Sequence, residues 1–398
     1  MTKLEELIKE LCPNGVECKR LSDVSEMKRG TSITKKIISS GKFPVISGGR
    51  EPAYYCDEYN REGETITVAG SGAGAGYVQY WTKPIFVCDA FSIQGKPSAV
   101  KTKYLYYFLT NIQDYIYSTK KGGGVPHVHI SCVENIQIPI PPIPVQEEIV
   151  RILDSFTELT AELTAELTAR KKQYEYYRDS LLTHFTEAKN CKLADLCESI
   201  ADGDHMPPPK VDDGIPFITI SNITEQNKID FSNTMYVPYS YYDALAEKRK
   251  PHSGDILYTV VGSYGIPVCI EQNVKFVFQR HIAILRPKSE IVKSRYMFYV
   301  MQSGFFKAQA EKAARGVAQK TISLSSLAEM ILPIPDISIQ ERLVQVLDNF
   351  DSICSDLKIG LPAEIEARTK QYEYYRDKLL SFKETPTYEQ KKEISKTE

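Results

Sequence analysis

The sequence predicts an α+β protein. Two β-rich globular domains alternate with two long antiparallel helices that form a coiled coil, in a tandem duplication with approximate twofold symmetry. Three observations predict this class: a near-identical repeat, a helical apolar pattern inside the repeat, and strand-and-turn signals between its copies. The run from Gln173 to Asp179 returns letter for letter from Gln371 to Asp377. A repeat that recurs after about 200 residues indicates a duplicated chain.

Inside each copy the apolar residues recur at helical spacing. In the first copy they fall at steps of three, four or seven on one stripe of a helix, and they are Ile149, Ile152, Phe156, Leu159, Leu163, Leu167, Tyr174, Tyr177, Leu181 and Phe185. No Gly or Pro occurs from Val145 to Phe185, so the helix extends for about 60 Å at 1.5 Å per residue. A stripe of this length requires a partner, which the second copy supplies. In that copy the run Gly360-Leu361-Pro362 predicts a kink or a break.

A short amphipathic helix is predicted at the N-terminus, over residues 3–12. Its apolar residues precede Cys18-Lys19-Arg20-Leu21, just as Leu181 and Leu182 precede Cys191-Lys192-Leu193. The short helix therefore corresponds to the tail of a long helix. We expect it to dock near the end of the second long helix, around Leu379 to Phe382, and to close the duplication into a cycle.

The two globular segments share a frame but differ in their loops. The strand signals of residues 42–49 return in residues 214–222, and those of residues 63–71 return in residues 254–263. A shared frame with different loops is typical of two binding sites for different targets. The predicted organisation is an N-terminal helix (1–18), a first globular domain (19–142), a first long helix (143–188), a second globular domain (189–335), a second long helix (336–385) and a disordered tail (386–398).

Composition indicates an ordinary soluble, cytoplasmic protein. The chain has 398 residues, of which 42% are hydrophobic and 25% charged, with a formal net charge of −2. It has no apolar run near 18 residues, and its first residues lack the apolar region of a signal peptide. The nine cysteines form no Cys-x-x-Cys pair, so reduced thiols are expected. The small net charge does not exclude nucleic-acid binding, which depends on local patches.

Motifs for chemistry are absent or incomplete. The glycine-rich run from Gly70 to Gly76 lacks the Lys-Ser/Thr of a phosphate-binding loop and continues into a predicted strand, Tyr77 to Tyr80. A flexible or closely approached loop is therefore the favoured interpretation. His127 and His129 lie on one side of a predicted strand without a third metal ligand nearby. We predict no catalytic, cofactor-binding or metal-binding residues, and so no enzymatic activity of this chain alone.

The order of these motifs resembles a known family. Each helix carries Pro-x-Pro, Gln-Glu, Leu-Asp and Gln-Tyr-x-Tyr-Tyr-Arg, and the helices alternate with two variable β-rich domains. This arrangement resembles the DNA-specificity (S) subunit of type I restriction-modification enzymes, over about residues 1 to 382. The tandem Thr-Ala-Glu-Leu of residues 160–167 is similar to the subgroup usually called type IC.

The resemblance implies a function and partners. Each globular domain would be a target-recognition domain that reads one half of a bipartite site on double-stranded DNA, and the helices would be the spacer. Two modification subunits would bind S-adenosylmethionine and methylate adenine, and restriction subunits would cleave DNA with ATP. These cofactors, together with Mg, are expected in the partner subunits and none in this chain.

Side chains suited to DNA lie in loops at matching places of the two halves. Arg and Lys suit guanine and phosphate, Asn and Gln suit adenine, and Ser contacts phosphates. The predicted DNA-binding residues are Lys28, Arg29, Lys35, Lys36, Arg50, Ser71, Lys120 and Lys121 in the first domain, and Asp204, His205, Lys210, Asn222, Ser263, Tyr264, Arg280, His281, Arg315, Gln319 and Lys320 in the second. The repeated motif contains more aromatic residues than the packing of one helix against another requires. We therefore predict that it contacts the modification subunits, through Tyr174, Tyr176, Tyr177, Arg178, Tyr372, Tyr374, Tyr375 and Arg376.

Two other functions fit the same pattern. One is a coiled-coil adaptor that binds proteins but not DNA, and the other is a stand-alone DNA-binding regulator. The different loops of the two halves argue against the regulator, because a homodimeric regulator reads two identical half-sites.

Overall fold

The computed structural model describes residues 2–33, 38–39, 41–122, 124–183, 188–203, 208–317, 319–355 and 360–383. The chain divides into two compact units. Unit 1 is Met1–Glu162 with Glu366–Glu398, and unit 2 is Leu163–Ile365. Each unit therefore combines one β-rich domain with the beginning of one helical region and the end of the other, as antiparallel helices do. The predicted boundaries of the long helices, 143–188 and 336–385, stay a prediction. Each compact unit takes part of both helical regions.

The described residues of unit 1 contain two four-stranded sheets, a two-stranded sheet made by the first and last strands of the unit, and several helices. In chain order its elements are α1 (Lys3–Leu11), β1 (Cys18–Arg20), α2 (Leu21–Val24), β2 (Ser25–Arg29), β3 (Ile38–Ser39), β4 (Phe43–Ile46), β5 (Tyr54–Cys56), β6 (Thr65–Ala69), β7 (Val78–Trp81), β8 (Phe86–Val87), β9 (Ala90–Gly95), α3 (Thr102–Asn111), α4 (Gln113–Ser118), α5 (Ile130–Val133), β10 (Gln137–Pro139) and the first half of α6 (Ile143–Thr183). One antiparallel sheet has the order β2-β9-β6-β7 and the other, mixed sheet has the order β3-β5-β4-β8. Every residue of β6 is buried, so this strand is central to the unit.

Unit 2 repeats this arrangement. Its elements are the second half of α6, β11 (Lys189–Lys192), α7 (Leu193–Leu196), β12 (Cys197–Asp202), β13 (Ile215–Ile218), β14 (Met235–Val237), α8 (Tyr239–Asp243), β15 (Ile256–Thr259), β16 (Pro267–Cys269), β17 (Val277–Phe278), β18 (Ile282–Pro287), α9 (Ser294–Gln302), α10 (Gly304–Ala313), α11 (Leu324–Ala328), β19 (Ile331–Ile334) and α12 (Ile337–Ser355). The sheet order β12-β18-β15-β16 matches that of the antiparallel sheet in unit 1. The matching order confirms that the fold is duplicated, as the repeated sequence predicts.

The first long helix is continuous and the second is described as two segments. Helix α6 has 41 residues without interruption, close to the predicted Val145 to Phe185, of which Phe185 lies outside the described residues. The second region consists of α12 and α13 (Leu361–Leu379), with residues 356–359 outside the description. Helix α13 begins directly after Gly360, where the backbone N–H groups of Ala363 and Glu364 donate to the Gly360 carbonyl. The predicted break at Gly360–Pro362 therefore coincides with the start of a helix.

A buried glutamine fastens each domain to the start of its helix. Gln146 is fully buried, and its Oε1 accepts the backbone N–H of Lys101 at 2.9 Å. Its Nε2 donates to the carbonyls of Pro141 at 2.7 Å and Ala99 at 3.2 Å. In unit 2, Gln340 makes the same three bonds, to the N–H of Lys293 and to the carbonyls of Pro335 and Ile291. The repeated Gln-Glu motif is thus a structural clamp.

The repeated Leu-Asp motif provides a second attachment. Asp154 accepts hydrogen bonds from the Tyr107 hydroxyl and from Lys103 Nζ, the latter at 2.8 Å. Asp348 accepts from the Tyr299 hydroxyl and from Arg295 Nε, the latter at 2.8 Å. In both units the carboxylate therefore ties the helix to the domain's own α3 or α9. Burial and this hydrogen bond both raise the pKa of the tyrosine hydroxyl well above its usual range.

The N-terminal helix α1 packs in unit 1 beside the end of α13. Leu4 is buried in the same core as Leu380, and the Val16 N–H donates to the Lys383 carbonyl at 2.9 Å. This position confirms the expected docking of α1 near Leu379 to Phe382. The predicted equivalence of α1 to the tail of a long helix is wrong. Tyr372 and Arg376 of α13, with Leu380 just after it, occupy in unit 1 the positions that Tyr174, Arg178 and Leu182 of α6 occupy in unit 2. Helix α1 is therefore an additional element.

We predict that removing either clamp destabilises its unit. Gln146→Leu or Gln340→Leu leaves one buried carbonyl, one part-buried carbonyl and one part-buried N–H without partners, which costs about 2–3 kcal/mol. Denaturant unfolding of the purified chain measures the loss. Gln173→Leu is the matched control, because Gln173 is exposed on α6 and surface changes cost about 0.5 kcal/mol or less. Equal losses for all three variants would contradict the clamp.

A pH dependence follows from the docking of α1. Hydrogen bonds from Arg151 and then Lys3 hold the pKa of buried Glu148 at about 2, below its ordinary 4.5. A lowered carboxyl pKa stabilises the fold above pH 4.5, and this contribution is lost as the pH falls towards 2. The free energy of unfolding should thus fall less steeply over this range in Glu148→Gln than in the parent, with Lys3→Met intermediate. Parallel curves for the three proteins would show that the ion pairs do not contribute.

Candidate nucleic-acid interface

A glycine turn and a hairpin meet at one edge of unit 1. Gly72 has a φ of +78° and its N–H donates to the Pro126 carbonyl at 3.0 Å. The hairpin is closed by two bonds between Lys121 and His127, each N–H donating to the other residue's carbonyl, at 2.9 and 2.8 Å. Gly122 follows with a φ of +107°. Such backbone angles favour glycine, so Gly72 and Gly122 allow the turn and the hairpin to adopt this geometry.

Unit 2 has the same construction at the equivalent place. Gly262 has a φ of +74° and its N–H donates to the Lys320 carbonyl at 3.0 Å. Arg315 and Thr321 close the second hairpin with bonds of 2.9 and 2.7 Å, and Gly316 has a φ of +114°. The backbone frame is therefore common to both units. In unit 2 it places Arg315 and Lys320, both predicted to bind DNA, beside the turn that contains Ser263.

The side chains on this frame differ between the units. Lys121 is exposed on the first hairpin, whereas the second carries exposed Arg315, Gln319 and Lys320. Lysine is a point charge suited to phosphate, while Arg and Gln present paired hydrogen-bonding groups to base edges. Two different hydrogen-bonding surfaces are thus displayed on one backbone geometry.

Arg50 belongs to the same edge of unit 1. A Cβ at Gly48 would lie 2.2 Å from the Ser71 carbonyl oxygen, and one at Gly74 would lie 2.4 Å from the Gly48 carbonyl oxygen. Only glycine permits this approach, which confirms the expectation of a closely approached loop. The exposed Arg50 guanidinium lies 5.1 Å from the centre of the Tyr77 ring, a distance that allows a cation–π contact.

The remaining basic candidates of unit 1 within the described residues differ in exposure and in contacts: Lys28 and Arg29 are exposed, and Lys120 is half-buried. Lys28 and Arg29 lie at the end of β2, where Lys28 pairs with Glu26 at 2.7 Å. Lys120 Nζ lies 4.4 Å from the centre of the Tyr117 ring. Ser71 donates its hydroxyl proton to Asp89, a residue that the sequence did not single out. Asp89 directly precedes strand β9, and His281 directly precedes the matching strand β18. This equivalence with a predicted residue is the sequence signal that could have identified Asp89.

In unit 2 the candidates at the turn are accessible to different extents. Ser263 and Arg280 are exposed, whereas Tyr264 and His281 are half-buried. Burial, and then the adjacent Arg280 charge, lower the pKa of His281 below its usual range. His281 is therefore neutral near pH 7 and able both to donate and to accept a hydrogen bond. Lys210 is exposed next to Val211, which pairs with Tyr236.

The prediction of Asn222 as a DNA-binding residue is wrong. The side chain is 6% exposed and all of its hydrogen-bonding groups are used within the unit. Its Oδ1 accepts from the N–H and the hydroxyl of Thr219, and its Nδ2 donates to the carbonyls of Asp230 and Asn233. Asn222 therefore holds a loop in shape. The predicted residues Lys35, Lys36, Asp204 and His205 lie outside the described residues.

The aromatic motif on the helices divides into buried and exposed members. Tyr174 and Arg178 are 7% and 5% exposed, so their prediction as partner contacts is wrong: both pack inside unit 2, with the guanidinium over the Tyr174 ring. Tyr372 and Arg376 are half-buried in unit 1, where Arg376 Nε donates to Asn111 at 2.6 Å. The remaining members are exposed, namely Tyr176, Tyr177, Tyr374 and Tyr375.

The described residues show no arrangement for metal chemistry. They contain no group of three or more His, Cys, Asp or Glu side chains placed to hold a metal ion. The rings of His127 and His129 stack at 5.8 Å, so this pair packs together. None of the helices in the described ranges has the length and apolar character needed to cross a bilayer.

Comparison with known proteins identifies the class. The family model described as type I restriction modification DNA specificity domain matches residues 13–170 and 186–367. The chain therefore belongs to the type I restriction-modification DNA specificity family. Its members are non-catalytic subunits that recognise DNA and assemble with the other restriction-modification subunits. This membership decides against the adaptor and the regulator.

The relatives and solved structures agree over nearly the whole chain. The type I restriction enzyme EcoR124I/EcoR124II specificity subunit of Escherichia coli is 30% identical over 370 residues, covering 82% of this chain and 87% of the relative. The MjaVIII specificity subunit of Methanocaldococcus jannaschii is 24% identical over 394 residues, covering 84% and 90%. The crystal structure of a type I S subunit from M. genitalium has a similar fold, with a TM-score of 0.57 at 17% identity, covering 92% of this chain and 96% of that one.

We predict that Asn222→Ala lowers the stability of unit 2, because it removes four part-buried hydrogen bonds of the loop. The expected loss in denaturant unfolding is about 1–3 kcal/mol. Gln226→Ala is the control, since Gln226 is exposed in the same loop. A stable Asn222→Ala protein with altered base preference would instead restore the residue as a DNA reader.

Proposed function

We propose that each unit reads one half of a bipartite DNA site, with the hairpin and glycine turn of that unit as its main reading elements. The supporting observation is the repeated backbone frame with different exposed side chains, at Lys121 in unit 1 and at Arg315 and Gln319 in unit 2. Two copies of one reader would carry the same side chains. Different side chains in the same geometry favour two unlike half-site sequences.

The phosphate backbone supplies the general affinity in this proposal. The residues proposed to contact phosphates are exposed Lys28 and Arg29 and half-buried Lys120 in unit 1, and exposed Lys210 and Arg280 in unit 2. Their charges attract any duplex, whereas hydrogen bonds from Arg50, Arg315 and Gln319 discriminate between bases. In unit 2 the half-buried Tyr264 and His281 would position Arg315 and Gln319.

The helical regions are the proposed spacer and assembly surface. We propose that exposed Tyr176, Tyr177, Tyr374 and Tyr375 contact two modification subunits. Those subunits would bind S-adenosylmethionine and methylate adenine, and restriction subunits would use ATP and Mg to cleave. The expected location is the cytoplasm, where the DNA substrate is found. In this proposal the chain recognises the DNA sequence, and the partner subunits carry out methylation and cleavage.

We predict that the two halves are separable. Replacing residues 19–140 with the matching segment of a relative should change one half of the methylated motif and leave the other half unchanged, because each reader is built within its own unit. Methylation mapping of a strain that expresses the chimaera reads both halves directly.

The reciprocal replacement of the second domain is the control for this exchange. It should change the other half only. If either chimaera changed both halves together, the model of two independent readers would have to be abandoned.

Salt dependence should distinguish phosphate contacts from base contacts. Lys121→Ala should weaken binding of all sequences to a similar extent and reduce the slope of log K against log salt by about 1. Gln319→Ala should leave the slope unchanged and relax the preference at one base pair, by about 1–3 kcal/mol. Binding titrations of the assembled methyltransferase at several salt concentrations measure both. If Lys121→Ala weakened binding of only some DNA sequences, Lys121 would contact bases and not phosphates.

A further inference from the structure

The glycine turn of each unit is bonded to the start of a neighbouring strand in the same way. In unit 1 the Gly70 N–H donates to the Asp89 carbonyl at 3.0 Å, and in unit 2 the Val260 N–H donates to the His281 carbonyl at 2.9 Å. The two bonds make Gly70 equivalent to Val260 and Asp89 equivalent to His281. The backbone is thus shared at this place, and the side chains differ.

The next residue of the turn differs as well. Ser71 faces His127 across an isolated antiparallel bridge, and Val261 faces Thr321 across the matching bridge of unit 2, so Ser71 and Val261 are equivalent. The Ser71 hydroxyl donates to Asp89 Oδ2. Unit 1 therefore has a hydrogen-bonded serine and aspartate where unit 2 has a valine and a histidine.

The glycine in unit 1 is matched to the carboxylate beside it. A Cβ at Gly70 would lie 3.1 Å from Asp89 Oδ1, which is closer than ordinary van der Waals contact. Val260, the equivalent residue in unit 2, has a buried side chain at this position. Two neighbours of Asp89 are therefore suited to holding a carboxylate here, one by its hydroxyl donor and the other by its lack of a side chain.

The Asp89 carboxylate keeps most of its acceptor capacity free. The residue is exposed. Among the residues that the structure describes, Ser71 is the one side chain that hydrogen-bonds to it, and none of the Lys, Arg or His side chains pairs with it. An ionised carboxylate accepts about four hydrogen bonds. Since the Ser71 proton is already donated to Asp89, the pair offers further acceptors to a ligand.

DNA contains few groups that suit such a pair. Phosphates repel a carboxylate, and the bases present two kinds of donor in the major groove, the N4 amino group of cytosine and the N6 amino group of adenine. Adenine also presents its N7 acceptor beside the amino group, which repels the second carboxylate oxygen. Cytosine presents its amino group alone. An acceptor pair at a DNA-reading edge therefore favours cytosine.

We propose that Asp89, positioned by Ser71, reads a cytosine in the half-site of unit 1 by accepting a hydrogen bond from its N4 amino group. The proposal rests on the proposed function, which brings this edge of unit 1 to the DNA. Unit 2 does not share the preference, because a neutral imidazole at His281 both donates and accepts.

Methylation mapping of strains that express the full complex tests this assignment. The half of the motif that changes when residues 19–140 are exchanged should contain a C·G pair, and Asp89→Ala should relax the preference at that pair alone, by about tenfold. Ser71→Ala should relax the same pair by a smaller factor. Glu10→Ala is the matched control, because it removes one carboxylate from an exposed position on α1, and it should leave the motif unchanged.

A modified base tests for the contact itself. Binding titrations use the assembled methyltransferase and a duplex in which the cytosine carries hydrogen in place of its amino group. The modification should weaken binding by the parent about tenfold more than binding by Asp89→Ala. Comparing the two losses removes the cost of the altered pairing with guanine, which is the same for both proteins. Equal losses would overturn the proposal, since a purely structural role of Asp89 predicts them.

The mapping separates this inference from the proposed function. Relaxation at an A·T pair would overturn the choice of cytosine, and relaxation in the half read by unit 2 would overturn the assignment to unit 1. If the exchange of residues 19–140 changed one half but Asp89→Ala changed nothing, this inference alone would fail. If the exchange changed neither half, the proposed function would fail with it.

Discussion

The architecture depends on one buried carboxamide in each unit. Gln146 and Gln340 sit where three segments meet: the Pro-rich strand end, the loop before α3 or α9, and the first turn of the long helix. A buried carboxamide is stable only when its polar atoms are paired. Since the three bonds come from two different segments, they form together or not at all. This side chain therefore fixes the start of each helix to its own domain, and Asp154 or Asp348 adds a second attachment about two turns further along.

This rigid attachment explains how the reading edge can vary. The Asp154 and Asp348 contacts, the clamps and the left-handed glycines all lie in the frame. The exposed side chains of the hairpins, such as Lys121 and Arg315, contribute little to that frame. Substitution at these positions changes the surface offered to DNA at small cost in stability. A duplicated frame can therefore carry two unlike recognition surfaces.

The sequence predicted the frame well because a repeat reports on geometry directly. Residues that recur after about two hundred positions make the same contacts in both units. The repeat therefore identified Gln146 and Asp154 as structural positions. Asn222 and Tyr174 were misassigned for a common reason. A polar or aromatic residue in a loop or on a helix is a reader or a packing element according to tertiary burial, which no local pattern encodes. Asn222 pairs with Asp230 and Asn233 only after the loop has closed.

The position of α1 shows how a near-repeat misleads. Its sequence resembles the tail of α6, yet it lacks the Tyr and Arg that pack against α3 and α9. Helix α13 carries Tyr372 and Arg376, and the bond from Arg376 to Asn111 secures the tail position in unit 1. Helix α1 is left to cover the adjacent face, with Lys3 on Glu148. Among the described residues unit 2 has no helix equivalent to α1, so a nearly symmetric frame presents different surfaces in its two units.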